Sequence, residues 1–244
     1  MLRLLLGNFG MSILLSACQS DERQSLRIFA ASSLTDVMAD LVSAFEAKHP
    51  DVKIELSTGG SHILRTQLEN GAAAELFASA SPDDVHALVE RGLCEEPQAL
   101  AGGELVIYVS SAAQIHSFSD IAQLESWVVG SPDSPIGRYT ADFLSKLDEQ
   151  TAQHIRHRTL SYEHNVRLIR AKIDLAAADA GIVYASDLQG RAEAQLISIP
   201  DQLQPEISYV LSRCQKTSHS AAELFQQFVM QDGKAILAQH RFKP

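Results

Sequence analysis

The run Leu26-Arg27-Ile28-Phe29-Ala30-Ala31-Ser32-Ser33-Leu34-Thr35-Asp36 decides the fold class. Its first six residues form a short, mostly apolar stretch of the kind that makes a strand. Two serines break it, and Leu34, Val37, Met38, Leu41, Val42 and Phe45 then return at helical spacing. His49-Pro50-Asp51 stops that helix, because the residue before proline is pushed out of the helical region. Val52, Ile54 and Leu56 alternate as a second strand. A strand, a small-residue turn, a helix and another strand make the repeating unit of an α/β fold.

The same punctuation continues along the chain. Thr58-Gly59-Gly60-Ser61 is a small-residue loop before a short helix carrying Ile63, Leu64 and Leu68, and Asn70-Gly71 closes it as a C-cap. Leu76-Phe77-Ala78 reads as a strand. Ser81-Pro82-Asp83-Asp84 then supplies an N-cap, a proline at the first helical position and acidic residues in the first turn. Further strands are predicted over 105–109, 127–129 and 182–184, and helices over 139–147, 166–172, 221–229 and 234–239. Neither an internal repeat nor a low-complexity linker separates two halves. The expected architecture is doubly wound α/β, with largely parallel sheets and the chain crossing between domains.

Met1-Leu2-Arg3, an apolar stretch over 4–15 and then Ser16-Ala17-Cys18 have the build of a secretion signal over residues 1–17. The apolar stretch is short of the roughly 20 residues a membrane-spanning helix needs. Leu15-Ser16-Ala17-Cys18 also resembles the bacterial lipobox, which implies lipidation of Cys18 and a short polar tether over 18–25. The chain is therefore expected to be exported and held at a membrane through that lipid alone. Cys94 and Cys214 remain. In an oxidising compartment they could pair or could stay as buried thiols, and their spacing does not decide between the two.

Apolar residues make up 45% of the 244-residue chain and charged residues 20%, so a packed core is expected rather than disorder. The formal charge is −10, and removing residues 1–17 deletes only Arg3, leaving 19 basic against 30 acidic residues, net −11. Such a surface argues against a nucleic-acid partner. It also offers no long-range attraction to an anion, so an anion must be captured locally.

Local capture has candidates. The turns Ala31-Ser32-Ser33, Gly59-Gly60-Ser61, 132–137 and Asn165-Val166 each precede a predicted helix. A helix start presents unpaired amide donors and the positive end of its dipole, which can hold an anion without lysine. Taken alone, a serine at such a place is more often a structural cap.

These same residues resemble the periplasmic molybdate-binding proteins of ABC importers. The opening 29–36 is similar to that family's first signature. Gly59-Gly60-Ser61 with 67–80 is similar to the second, and Asn165-Val166-Arg167 with 178–187 to the third, in family order and across nearly the whole mature chain. The resemblance implies a type II periplasmic-binding-protein-like fold of two α/β domains, 26–104 plus 205–244 and 105–204, closing on a ligand. It implies oxyanion contacts at Ser33 and Ser61, at the Ile136 turn, at the Val166 amide and at the Tyr184 hydroxyl. It further implies a monomeric, non-enzymatic binding protein that needs no cofactor or bare metal ion and hands molybdate or tungstate to an ABC permease. Two places depart from the pattern. Pro135-Ile136-Gly137 stands where Pro-Ala-Gly is usual, and Arg241-Phe242 stands for the closing Gly-Phe. Sulfate or phosphate is the alternative anion.

Other chemistry was weighed on the same residues. His154 and His157 would share a helical face, and with His164 they could make the zinc site of a secreted enzyme. Interleaved Arg156 and Arg158 favour a solvated face instead. No Gly-x-Ser-x-Gly elbow supports a serine hydrolase. Arg138 lies beside the third turn, where a surface ion pair is its expected role.

Overall fold

The computed structural model describes residues 24–190, 195–214 and 220–243. The signal, Cys18 and most of the tether lie outside them. The last two tether residues do not remain a tether. Strand β1 (Gln24–Ala31) begins at Gln24, whose amide donates to the Asp51 carbonyl at 2.8 Å and which pairs with Val52.

Two five-stranded sheets form. The first uses β1, β2 (Val52–Gly59), β3 (Leu76–Ser79), β4 (Gln98–Gly103) and the late strand β10 (Ile207–Arg213), in the order β2-β1-β3-β10-β4. Helices α1 (Thr35–Lys48), α2 (Ser61–Glu69) and α3 (Pro82–Glu90) connect its early strands. The second uses β5 (Leu105–Val109), β6 (Trp127–Gly130), β7 (Thr159–Glu163), β8 (Ala180–Tyr184) and β9 (Gln195–Ser198), in the order β7-β6-β8-β5-β9. Its helices are α4 (Pro135–Ser145), α5 (Glu149–His157) and α6 (Val166–Asp174). After β10, α7 (Ser220–Gln231) and α8 (Lys234–Gln239) finish the first lobe.

The expectation of largely parallel sheets is corrected. In each sheet one strand, β1 or β6, has parallel partners on both sides, while β10 pairs antiparallel with β3 and β4 and β5 pairs antiparallel with β8 and β9. Antiparallel pairing follows from the crossings: β4 leads into β5 through Glu104, and β10 returns after β9, so each sheet contains a strand arriving from the other lobe. The two lobes have the same strand order, and both are doubly wound.

Core packing explains the order. Leu26, Ile28 and Ala30 of β1 are buried in the main apolar cluster with Leu41, Phe45, Phe225 and Val229 of α1 and α7. Phe29 points the other way, into a smaller cluster with Leu64, Leu68 and Leu88 of α2 and α3. The first sheet is thus covered on both faces, as a parallel core requires. Phe45 meets Phe225 and Phe228 edge-on at centroid separations of 5.1 and 5.5 Å, tying α1 to α7. Cys94 and Cys214 are joined as a disulfide.

Candidate functional site

In a doubly wound sheet, ligands settle where neighbouring connections leave the strand ends in opposite directions. Here that place lies beyond β1 in the first lobe and beyond β6 in the second, and the two face each other. A small cavity lies between them. Ser33, Ser61, Ile136, Val166 and Tyr184 all line it, so the structure brings together every residue proposed from the sequence for anion contact. Ala31, Ser32, Gly60, Ala80, Ser134, Pro135, His164 and Asn165 complete the wall.

Local folding aims donors inward. Ser33 sits in a one-turn 3-10 helix (Ser32–Leu34) that continues into α1, and it is buried. Ser61 is the first residue of α2. Its Oγ accepts from the Ala80 amide at 3.1 Å, leaving its own hydroxyl proton to donate elsewhere. Ser134 caps α4: its Oγ accepts from the Gly137 amide at 3.1 Å and donates to the Ser131 carbonyl at 2.7 Å. Pro135 fits the first helical position because it has no amide proton to lose, and Ile136 follows with an amide that has no intrahelical acceptor. Asn165 caps α6 through the Leu168 amide at 3.2 Å, which leaves Val166 as the first helical amide. Isoleucine in place of alanine at 136 is accommodated by turning into the core, where it is 2% exposed.

Gly137 is required for the third turn, since a Cβ there would stand 1.9 Å from the Ser131 carbonyl oxygen. Gly60 is required for the meeting of the lobes, since its Cβ would stand 2.6 Å from the carbonyl oxygen of His164.

Tyr184 ends β8 and is 2% exposed, and its hydroxyl has no hydrogen-bond partner among the described residues. Burial pushes its phenol well above the ordinary value, with nearby Tyr209, Tyr139 and Asp187 adding to the effect, so it stays a protonated donor. Among the described residues, neither a lysine, an arginine nor a carboxylate lines the cavity. The nearby guanidiniums are engaged with acids across the lobes. Arg138 Nη2 lies 2.8 Å from Asp84 Oδ2, and Arg167 Nη2 lies 2.6 Å from Asp36 Oδ2 while its Nε donates to the Ser32 carbonyl at 2.8 Å. Arg138 does form the ion pair expected of it, but with a fully buried carboxylate of the other lobe.

The alternative zinc trio of His154, His157 and His164 is not assembled among the described residues. His154 Nε2 is bonded to the Leu124 carbonyl at 2.8 Å, and α5 packs against the 3-10 segment Phe118–Gln123. Among the described residues, the one set of three ligating side chains in mutual reach is His62, Asp133 and His164. His154 and His157 are not part of it. The sequence reading passed over His62 because a lone histidine on a short helix carries no spacing signal; its place directly after Ser61 was the available clue. Burial pulls the His62 imidazole below its ordinary pKa, partly offset by Asp133 and Asp84.

Two α/β lobes with paired chain crossings and a cavity between them, lined by hydroxyls and helix starts, have the type II periplasmic-binding-protein fold. The chain belongs to the bacterial extracellular solute-binding protein family, whose profile matches residues 26–243. It is 28% identical over 227 residues to a putative ABC transporter substrate-binding lipoprotein, YvgL, of Bacillus subtilis, covering 89% of this chain and 85% of that one. It is 30% identical over 228 residues to the molybdate-binding protein ModA of Mycobacterium bovis, covering 90% and 84%. The sulfate-binding protein SubI of Mycobacterium tuberculosis superposes with a TM-score of 0.79 at 18% identity, covering 91% of this chain and 87% of that one, a likeness of fold alone.

Proposed function

We propose that this chain is the solute-binding component of an ABC importer and that it captures molybdate, or tungstate, between its lobes for delivery to a permease. One observation carries the reading: an unpartnered, buried Tyr184 hydroxyl faces a cavity where helix starts from both lobes converge and no charged side chain enters. Ser33, Ser61 and Tyr184 hydroxyls and the Ile136 and Val166 amides are then the oxyanion donors. Fixed dipoles in a dry site hold a dianion strongly without a counter-charge. Phosphate at neutral pH keeps a proton that needs an acceptor, and no carboxylate lines the cavity to take it. Molybdate and sulfate are both fully ionised, so size separates them, and the sequence relationship to the molybdate-binding protein favours the larger anion.

Binding is proposed to close the lobes, 26–104 with 205–244 against 105–204, because the anion touches both only when they meet. The chain is proposed to act as a monomer, exported and anchored by lipid at Cys18. The relative named a lipoprotein supports that anchor, and fatty-acid labelling that disappears in Cys18→Ala checks it.

Calorimetry with molybdate, tungstate, sulfate and phosphate tests the ligand. Tight binding of the first two with none of the others is expected, and no binding of any would falsify the proposal. Ser61→Ala with Tyr184→Phe is expected to weaken molybdate at least tenfold, about 1.4 kcal/mol. Tyr184→Phe alone should barely change unliganded stability, because it removes a buried hydroxyl with no partner among the described residues, whereas Ser61→Ala strips the Ala80 amide of its acceptor and should cost about 1–3 kcal/mol. Unchanged affinity removes both residues from the site.

A further inference from the structure

His62 presents a problem that anion binding does not solve. The residue is 5% exposed, and neither Nδ1 nor Nε2 has a hydrogen-bond partner among the described residues. A buried polar group left unpaired is costly, so both nitrogens of a buried imidazole standing free point to a missing partner. Asp133 Oδ2 lies 3.8 Å from Nε2, beyond hydrogen-bond distance, and the His164 ring stands 6.0 Å away, centroid to centroid. One ligating atom from each of the three lies within 4.8 Å of the others.

We propose that His62, Asp133 and His164 bind a zinc-class divalent ion at the rim of the cavity, although the sequence reading assigns no bare cation. Two imidazoles and a carboxylate are the nitrogen and oxygen donors that zinc takes, with water in the fourth position. Ligating atoms in such a tetrahedron stand about 3.3 Å apart. Asp133 and His164 are exposed residues flanking the starts of α4 and α6, so their side chains can swing the remaining distance toward the fixed His62. No chemical step is assigned to the ion.

The site straddles the lobes: His62 belongs to α2 of the first, Asp133 and His164 to turns of the second. A bound ion therefore ties the lobes together. If the cavity holds an anion, a claim that rests on the proposed function, cation and anion must strengthen each other by the same factor.

The test uses Co²⁺, whose visible absorption reports tetrahedral nitrogen and oxygen ligation, added to the chelator-dialysed, untagged protein without any anion. Saturation at one equivalent is expected. His164→Ala and Asp133→Asn should each weaken Co²⁺ at least tenfold with unchanged melting temperature in chelator, while His154→Ala changes nothing. Absence of saturable binding, or binding indifferent to both substitutions, overturns the site. Repeating the titration with saturating molybdate reads the coupling. Co²⁺ binding that persists where calorimetry finds no anion bound would keep this site and remove the transport reading.

Discussion

Asp187 follows Tyr184 by three residues and is 2% exposed, and among the described residues neither carboxylate oxygen has a well-formed hydrogen bond. Desolvation is the main cause that raises it from 3.8 to about 7, against the pull of Arg170 and Arg167. The sign follows from proton binding: between those values the folded chain holds a proton that the unfolded chain has lost, so stability falls as pH rises from about 4 to about 7. Above that window the loss is constant. Asp187→Asn should abolish this decline and make the protein more stable than the native chain at pH 8. Melting temperatures across that range read it, and parallel curves for the two proteins would sink the idea. In the sequence Asp187 stands out only as part of the Asp-Ala-Gly-Ile-Val-Tyr-Ala-Ser-Asp run; its burial is a tertiary property that no local pattern encodes.

At the scale of elements, turn chemistry was the most readable feature. Ser81 with Pro82 starts α3 as expected, and Asn165 caps α6 where the sequence placed it. Helix α4 begins at Pro135, four residues before the predicted Tyr139, because proline after a capping serine opens a helix as readily as it fills a turn. Strands β4, β7, β9 and β10 have no counterpart among the predicted strands. The stretch Gln98–Gly103 is too small and polar to announce itself, and it is held in place by β10, more than a hundred residues later. Pairing direction is likewise a long-range property, which is why mixed sheets were read as largely parallel. The start of α2 carries its own prediction. Gly60→Ala sets a methyl 2.6 Å from the His164 carbonyl, so the lobes cannot meet as they do. Molybdate affinity should drop at least tenfold with a smaller effect on unliganded stability, since the hard clash is with the His164 carbonyl of the other lobe and the His62 ring of its own lobe stands farther off, at 3.1 Å. Native affinity in this variant would mean that the approach is not needed for binding.

For the whole molecule, the exposed cross-lobe ion pair is a weak reason for closure. Arg167–Asp36 is partly exposed, and such pairs contribute about 0–1 kcal/mol. A ligand touching both lobes is the stronger term, so molybdate at a hundred times its dissociation constant should stabilise the fold by about 2.7 kcal/mol. The Cys94–Cys214 disulfide acts differently. It closes a stretch of 120 residues that contains the entire second lobe and pins two ends of the first. Replacing both cysteines by alanine should cost about 2–4 kcal/mol in denaturant unfolding, and a cost near zero would mean the unfolded chain gains little freedom. The strand order also sets a timetable for a chain emerging end-first. β10 lies between β3 and β4, so the first sheet stays incomplete until residue 213 has appeared. The second sheet needs only residues 105–198, one uninterrupted segment. Assembly should therefore run from the middle of the chain outward, the inserted lobe maturing while its host waits for its last strand. A fragment of residues 105–204 that shows cooperative unfolding, beside a fragment of 24–104 that does not, is the expected outcome.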